Sequence, residues 1–243
     1  MSIRPSTLAK YEYDGLNRRV KKHIDPVRTA RTGVRRRSLW KNAESGILLR
    51  GAWARVSPKH NRGNRHFFYN GGWQVLETRV TDPAAEPPET ENTAPQDLDP
   101  EYQYVWSARY IDAPILRDKN TDEDGLCDDE RLYYTTDANM HVTALVLEDE
   151  EDVWIVVERY QYNAYGHTHV CYADWESNDD GTNYDNVILF AGYYRDPETH
   201  FYHVRNRPYH AELGRFLQRD PDEYVDGMNL YEYVRSNACN DVD

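Results

Sequence analysis

The chain alternates short apolar or aromatic runs with turn-forming clusters, a rhythm of strand, turn and strand. Tyr11, Tyr13 and Val20 alternate with polar residues around Asp14-Gly15. From His66 to Glu77 two aromatic or apolar runs flank Asn70-Gly71-Gly72, a composition that satisfies positive φ in tight hairpin turns. Tyr102 to Asp112 reads as a further strand. Arg131 to Val146 reads as a hairpin turning at Asp137-Ala138-Asn139, and Glu148 to Asp152 as an acidic turn before Val153 to Gly166. Val187 to Phe190 is a compact apolar run. Asp196-Pro197-Glu198-Thr199 is a turn, and Phe201 to Arg207 has the period of a half-buried strand. The pattern predicts an all-β chain of consecutive antiparallel hairpins. Its expected sheet or core contributors are Phe67, Tyr69, Trp73, Val75, Tyr102, Tyr104, Tyr133, Val142, Val156, Phe190, Tyr202 and Phe216.

Composition narrows the class. Twenty tyrosines against five phenylalanines suit a sheet with one face buried and the other wet, since the ring packs while the hydroxyl stays solvated. No run approaches the roughly 18 apolar residues of a membrane helix. The first ten residues hold no apolar signal-peptide core. Cys127, Cys171 and Cys239 are scattered and odd in number, which argues against a disulfide framework and a zinc cluster.

The net charge of −13 hides an asymmetry, because residues 1–60 carry 15 Lys or Arg against four acids and the rest is strongly acidic. Residues 23–60 have no sustained period. Their arginines, with Trp40 and Trp53, fit either a nucleic-acid-binding arm or a solvated basic insert. The insert is the expectation, with little nucleic-acid binding at physiological ionic strength. Residues 81–101, rich in proline and acids, are expected to be an exposed loop within the same unit.

One loop outside the C-terminal region carries candidate chemistry. Asn120, Asp122 and Asp124 place oxygens at alternate positions, Gly125 permits a sharp bend, and Asp128 follows, as in an EF-hand-type calcium loop. Arg131 stands where the bidentate Glu of such a loop belongs, and Glu130 lies one position early. The expectation is therefore a polar inter-strand loop without a cofactor, with Asn120, Asp122, Asp124 and Asp128 as a weak calcium candidate.

Arg205-x-Arg207-x-Tyr209, Glu212 to Phe216, Arg219-Asp220-Pro221 and Asp226 to Tyr231 resemble the core signature that closes RHS/YD-repeat proteins. Tyr11 to Lys22 and Tyr160 to Gly166 resemble YD repeats, with Asn17 and Asn163 standing where the repeat has Gly and Asp. The resemblance implies a spiralling β-sheet shell around a polypeptide cargo, with a core segment at the C-terminus. It divides the chain into a YD-like repeat plus basic insert (1–60), RHS hairpin repeats (61–187) and a truncated core segment (188–243). It also implies secretion or a cell-surface setting, and an aspartyl autoprotease that releases a C-terminal toxin. By that resemblance Arg219, Asp220 and Asp243 are the catalytic residues, two aspartates sharing a proton to activate water. Glu223 replaces a usual Gly, Ala238 replaces a usual Pro, and the motif expected after Asp243 is missing. The expectation is therefore a structural shell and core fragment without protease activity, whose partners are a polypeptide cargo or remaining shell segments. Autoprotease and nucleic-acid-binding module are the two alternatives.

Overall fold

The computed structural model describes residues 9–16, 18–24, 64–81, 99–122, 124–225 and 227–238. Ten strands form one antiparallel sheet in strict sequence order: β1 (Ala9–Tyr13), β2 (Arg19–Ile24), β3 (Asn64–Tyr69), β4 (Val75–Thr81), β5 (Asp99–Trp106), β6 (Pro114–Lys119), β7 (Glu130–Thr136), β8 (Val142–Glu148), β9 (Trp154–Tyr162) and β10 (Thr168–Tyr172). A second antiparallel sheet follows, again in order: β11 (Tyr194–Arg195), β12 (Tyr202–Val204), β13 (Arg207–His210) and β14 (Arg215–Phe216).

One turn is used repeatedly. Asp14, Asn70, Asp137, Asp149 and Asn163 each accept, through one side-chain oxygen, the backbone N–H groups two and four residues on. The side chain thus satisfies two donors that the hairpin leaves unpaired. The residue three positions on takes positive φ where it is described: Trp73 at 68°, Met140 at 61°, Asp152 at 59° and Gly166 at 84°. This is a loop that ends in a left-handed bulge. At the Asn70 hairpin the left-handed position is Trp73, not the Gly71-Gly72 pair that the composition suggested.

The core lies between the inner face of the large sheet and the C-terminal segment. Phe67, Val75, Tyr102, Tyr104, Leu132, Tyr134, Val142, Leu145 and Tyr160 meet Ile188, Leu189, Phe190, Tyr193, Tyr194, Tyr202, Tyr209, Phe216 and Tyr233. Phe190 is central: His141 stacks on its ring at 4.3 Å, and Tyr162, Tyr202, Tyr209 and Tyr233 surround it.

The expected sheet and core contributors divide between the inner and outer faces. Tyr133 is half-buried and faces outward against Trp154, while Leu132 and Tyr134 point inward. Val156 is also only half-buried, because a register shift between Leu145 and Val146 sends Glu158 and Tyr160 inward instead. Tyr69 and Trp73, beside the hairpin turn, are half-buried as well. Val187 to Phe190 forms no strand; it makes a single bridge, Ile188 to Tyr194, and enters a 3-10 turn at Phe190–Gly192. Phe201 to Arg207 is broken by a turn between β12 and β13. Of residues 81–101, Thr81 ends β4 and Asp99, Pro100 and Glu101 open β5; the rest, like the basic stretch 25–63, lies outside the described residues.

Candidate functional site

Asp220 sits just after β14 and is held on every side. Its Oδ2 accepts from Arg207 Nη1 at 2.7 Å, and its Oδ1 accepts from the backbone N–H of Asp222 at 2.9 Å. Its own N–H donates to Leu230 O at 2.9 Å. Arg207 in turn lies over the Phe216 ring, 3.6 Å from its centroid. Arg219 is exposed. Asp243, the third member of the resemblance-derived trio, lies outside the described residues. Met228 to Tyr233 is a turn with one bridge, Arg215 to Glu232. Glu223, where the resemblance has Gly, takes φ of 57°. The arrangement at Asp220 is chemically an ion-paired turn.

The calcium candidates also go to backbone duty. Asp122 Oδ1 accepts from Asp124 N at 3.0 Å, and Asp124 Oδ1 accepts from Leu126 N at 2.8 Å. Asp122, Asp124 and Asp128 are exposed, while Asn120 is buried at the end of β6. Asp129, which was not among the candidates, caps the N–H groups of Thr121 and Asp122, and these bonds lower its carboxyl pKa. Among the described residues no group of three or more His, Cys, Asp or Glu is arranged to hold a metal.

The densest polar chemistry lies elsewhere, where β1 and β2 meet the turn after β11. Lys22 Nζ reaches Asp196 Oδ1 at 2.7 Å and also pairs with Glu198. Both Lys22 and Asp196 are sealed from solvent, their side chains 0% and 1% exposed. Asp196 Oδ2 accepts from the Tyr11 hydroxyl and from Thr199 Oγ1, with Arg19 Nη2 at 3.5 Å. Arg19 Nη2 also meets His203 Nδ1 at 3.2 Å, and the guanidinium lies 4.1 Å from the Tyr11 ring centroid.

Burial drives the titration of this cluster, and the neighbours then divide it. Burial pushes Asp196 up, but a hydrogen bond from Glu198 and the charges of Arg19 and Lys22 outweigh it and hold the carboxyl well below its ordinary value. Glu198 goes the other way: burial and its bond to Asp196 raise it, against Lys22. Burial and the adjacent Arg19 lower His203 to about 3. Burial and the bond to Asp196 keep the Tyr11 phenol protonated.

Glu198 also lines a cavity of about 300 Å³ between the two layers, with Arg65, Thr78, Tyr102, Tyr104, Asp185, Asn186, Tyr194, Arg195 and His200 among its walls. Arg65 is neutralised there by Glu101, Nε to Oε2 at 2.6 Å. Sequence reasoning missed this cluster. It read Lys22 as the end of a YD-like repeat and Asp196 as a turn residue, and a separation of 174 positions hides the contact.

No family model matches the chain. It is 33% identical over 109 residues to the tRNA(Glu)-specific nuclease WapA of Bacillus subtilis subsp. natto and to the tRNA nuclease WapA of Bacillus subtilis, a match covering 43% of this chain. The chain spans 4% of the length of those relatives. Among solved structures, the crystal structure of TcdB2-TccC3-Cdc42 superposes on 97% of this chain with a TM-score of 0.50 and 18% identity, using 10% of that chain. The fold is of the RHS type. The ten-stranded sheet is the RHS-like β-sheet shell. No helix among the described residues is long and apolar enough to cross a membrane.

Proposed function

We propose that this chain is a structural piece of an RHS shell related to polymorphic toxins, with residues 188–238 acting as the core segment that closes the shell's inner face. The observation that carries the reading is the shared core: aromatic side chains of Phe190, Tyr202, Tyr209 and Tyr233 interleave with those of the large sheet instead of forming a separate domain. The partners are further shell strands and an enclosed polypeptide. Among the described residues β1 pairs only with β2, so its other edge offers backbone N–H and C=O groups to a further strand. From the relatives the proposal takes architecture alone. Asp220 serves in it as an ion-paired turn and cuts no peptide bond.

The test is protection. Co-expressed with RHS-repeat strands placed ahead of β1 and a reporter polypeptide, the chain should shield the reporter from added protease. A reporter degraded as fast as the free polypeptide overturns the reading.

A further inference from the structure

We propose that Lys22 and Asp196 condense into an intramolecular isopeptide bond, with Glu198 as the proton carrier. The bond would tie β2 covalently to the turn after β11, and so the first hairpin to the C-terminal segment.

The reacting groups are in direct contact. Lys22 Nζ lies 2.7 Å from Asp196 Oδ1, and both side chains are sealed from water. Held this way, an amine and a carboxyl react at an effective concentration far above any bimolecular encounter. Burial works against the charged carboxylate, but the Glu198 hydrogen bond and the charges of Arg19 and Lys22 hold Asp196 ionised, so the condensation needs a group that moves a proton from the ammonium to the carboxylate. Glu198 contacts both groups: it pairs with Lys22 and hydrogen-bonds Asp196. It can therefore take a proton from the ammonium and give one to the carboxylate.

The step balances without any co-reactant. The ammonium passes one proton, through Glu198, to Asp196 Oδ1. The freed Nζ attacks Cγ, and the negative charge that develops falls on Oδ2, where the Tyr11 hydroxyl donates and Arg19 Nη2 lies 3.5 Å away. A second proton from nitrogen, again through Glu198, lets Oδ1 leave as water. One C–N bond forms, one C–O bond breaks, the two charges cancel, and nothing is oxidised or reduced. The water has an exit, because Glu198 lines the 300 Å³ cavity. Arg19 acts twice, steadying the carboxylate before reaction and the oxyanion during it. Glu198 supplies the proton that Arg19 makes harder for Asp196 to gain.

Intact-mass spectrometry of the purified full chain, unfolded before measurement, decides the matter. The expected mass is one water below that of the sequence, and digestion should yield a branched peptide joining Lys22 to Asp196. Lys22→Arg and Glu198→Gln should each return the full sequence mass; Glu198→Gln preserves shape and removes only the proton carrier. Full sequence mass in the unaltered chain, with Lys22 open to acetylation after unfolding, overturns the proposal. So does a water loss without the branched peptide, as an Asp-Gly succinimide elsewhere would give. The unaltered chain answers the question even if a variant fails to fold.

Discussion

At Gly192 the C-terminal segment packs directly against the backbone of the β5–β6 turn, and Gly192→Ala measures what that approach is worth. The residue has φ of 71°, and a Cβ there would lie 1.8 Å from the carbonyl oxygen of Asp112 and 2.7 Å from its carbonyl carbon. These are backbone atoms in the turn between β5 and β6, and Asp112 is further pinned by Arg205 at 2.9 Å. They cannot swing aside as a flexible side chain would. A left-handed alanine costs about 1 kcal/mol, and forcing the two segments apart adds about 1–3 kcal/mol. Gly181→Ala isolates the first part, since Gly181 has φ of 89° with nothing within 4 Å of its would-be Cβ. Urea unfolding followed by intrinsic fluorescence should show Gly181→Ala losing about 1 kcal/mol and Gly192→Ala about 2–4 kcal/mol. In melting temperature this is about 2–4 °C against about 4–16 °C for a chain of this size. Equal losses within about 0.5 kcal/mol would refute the reasoning, because the contact with Asp112 would then carry no energy of its own.

Three further outcomes are expected. Glu223→Gly should stabilise the chain by about 1 kcal/mol, because an exposed glutamate now holds φ of 57°; a lower urea midpoint would contradict this. The purified chain should keep its full length on prolonged incubation, and Asp220→Asn should leave that pattern unchanged while weakening the Arg207 pair; self-cleavage lost in Asp220→Asn would show a working protease. His141 should make folding acid-sensitive. Burial lowers its pKa from 6.5, and its neutral Nδ1 accepts the Ala191 N–H at 2.9 Å. Its contribution is therefore complete above the unfolded value near 6.5 and is lost as pH falls toward the lower folded value, by up to about 1.4 kcal/mol per unit. His66 and His200 shift the same way, so the reading is the flatter pH slope of His141→Asn against the unaltered chain.

The strand rhythm was legible because it is local. Alternation and turn residues within ten positions of each other mark the hairpins at Asp14, Asn70, Asp137 and Asn163 and the acidic turn at Asp149, but Tyr102 to Asp112, read as one strand, ends at Trp106 and turns into β6 at Pro114. Which face a residue takes was less legible. A single bulge reverses inside and outside, as the shift at Leu145 does for Val156, and bulges leave no mark in the alternation itself. The buried cluster was illegible for another reason. Nothing near Lys22 says that a basic strand will face inward, because its partners, Asp196 and Glu198, come from the other end of the chain. The same holds for Arg117, which is 1% exposed and spends its charge on Glu130 and on the carbonyl of Tyr184.

The repeat resemblance gains a physical content once the inner face is known. In four hairpins that turn at the same end of the sheet, an aromatic ring stands three residues before the turn's Asp or Asn: Tyr11, Phe67, Tyr134 and Tyr160. Phe67, Tyr134 and Tyr160 are buried and Tyr11 is half-buried. That spacing lets one side chain close the turn while the ring behind it packs inward on the strand. Tyrosine there carries a hydroxyl into the core, where it must find a partner. Each does: Tyr11 donates to Asp196, Tyr134 to Asn186 Oδ1 and Tyr160 to Glu158. Phe67 has no hydroxyl to place and instead meets Tyr194 edge-on at 5.6 Å. The acceptors on the C-terminal side, Asp196 and Asn186, flank the apolar run from Val187 to Tyr194. The hydroxyls of the shell therefore fix where that run lies, and the apolar packing between them fixes how deeply it sits. A segment held by hydroxyls from strands as far apart as β1 and β7 is fixed in one register against a sheet whose hairpins repeat.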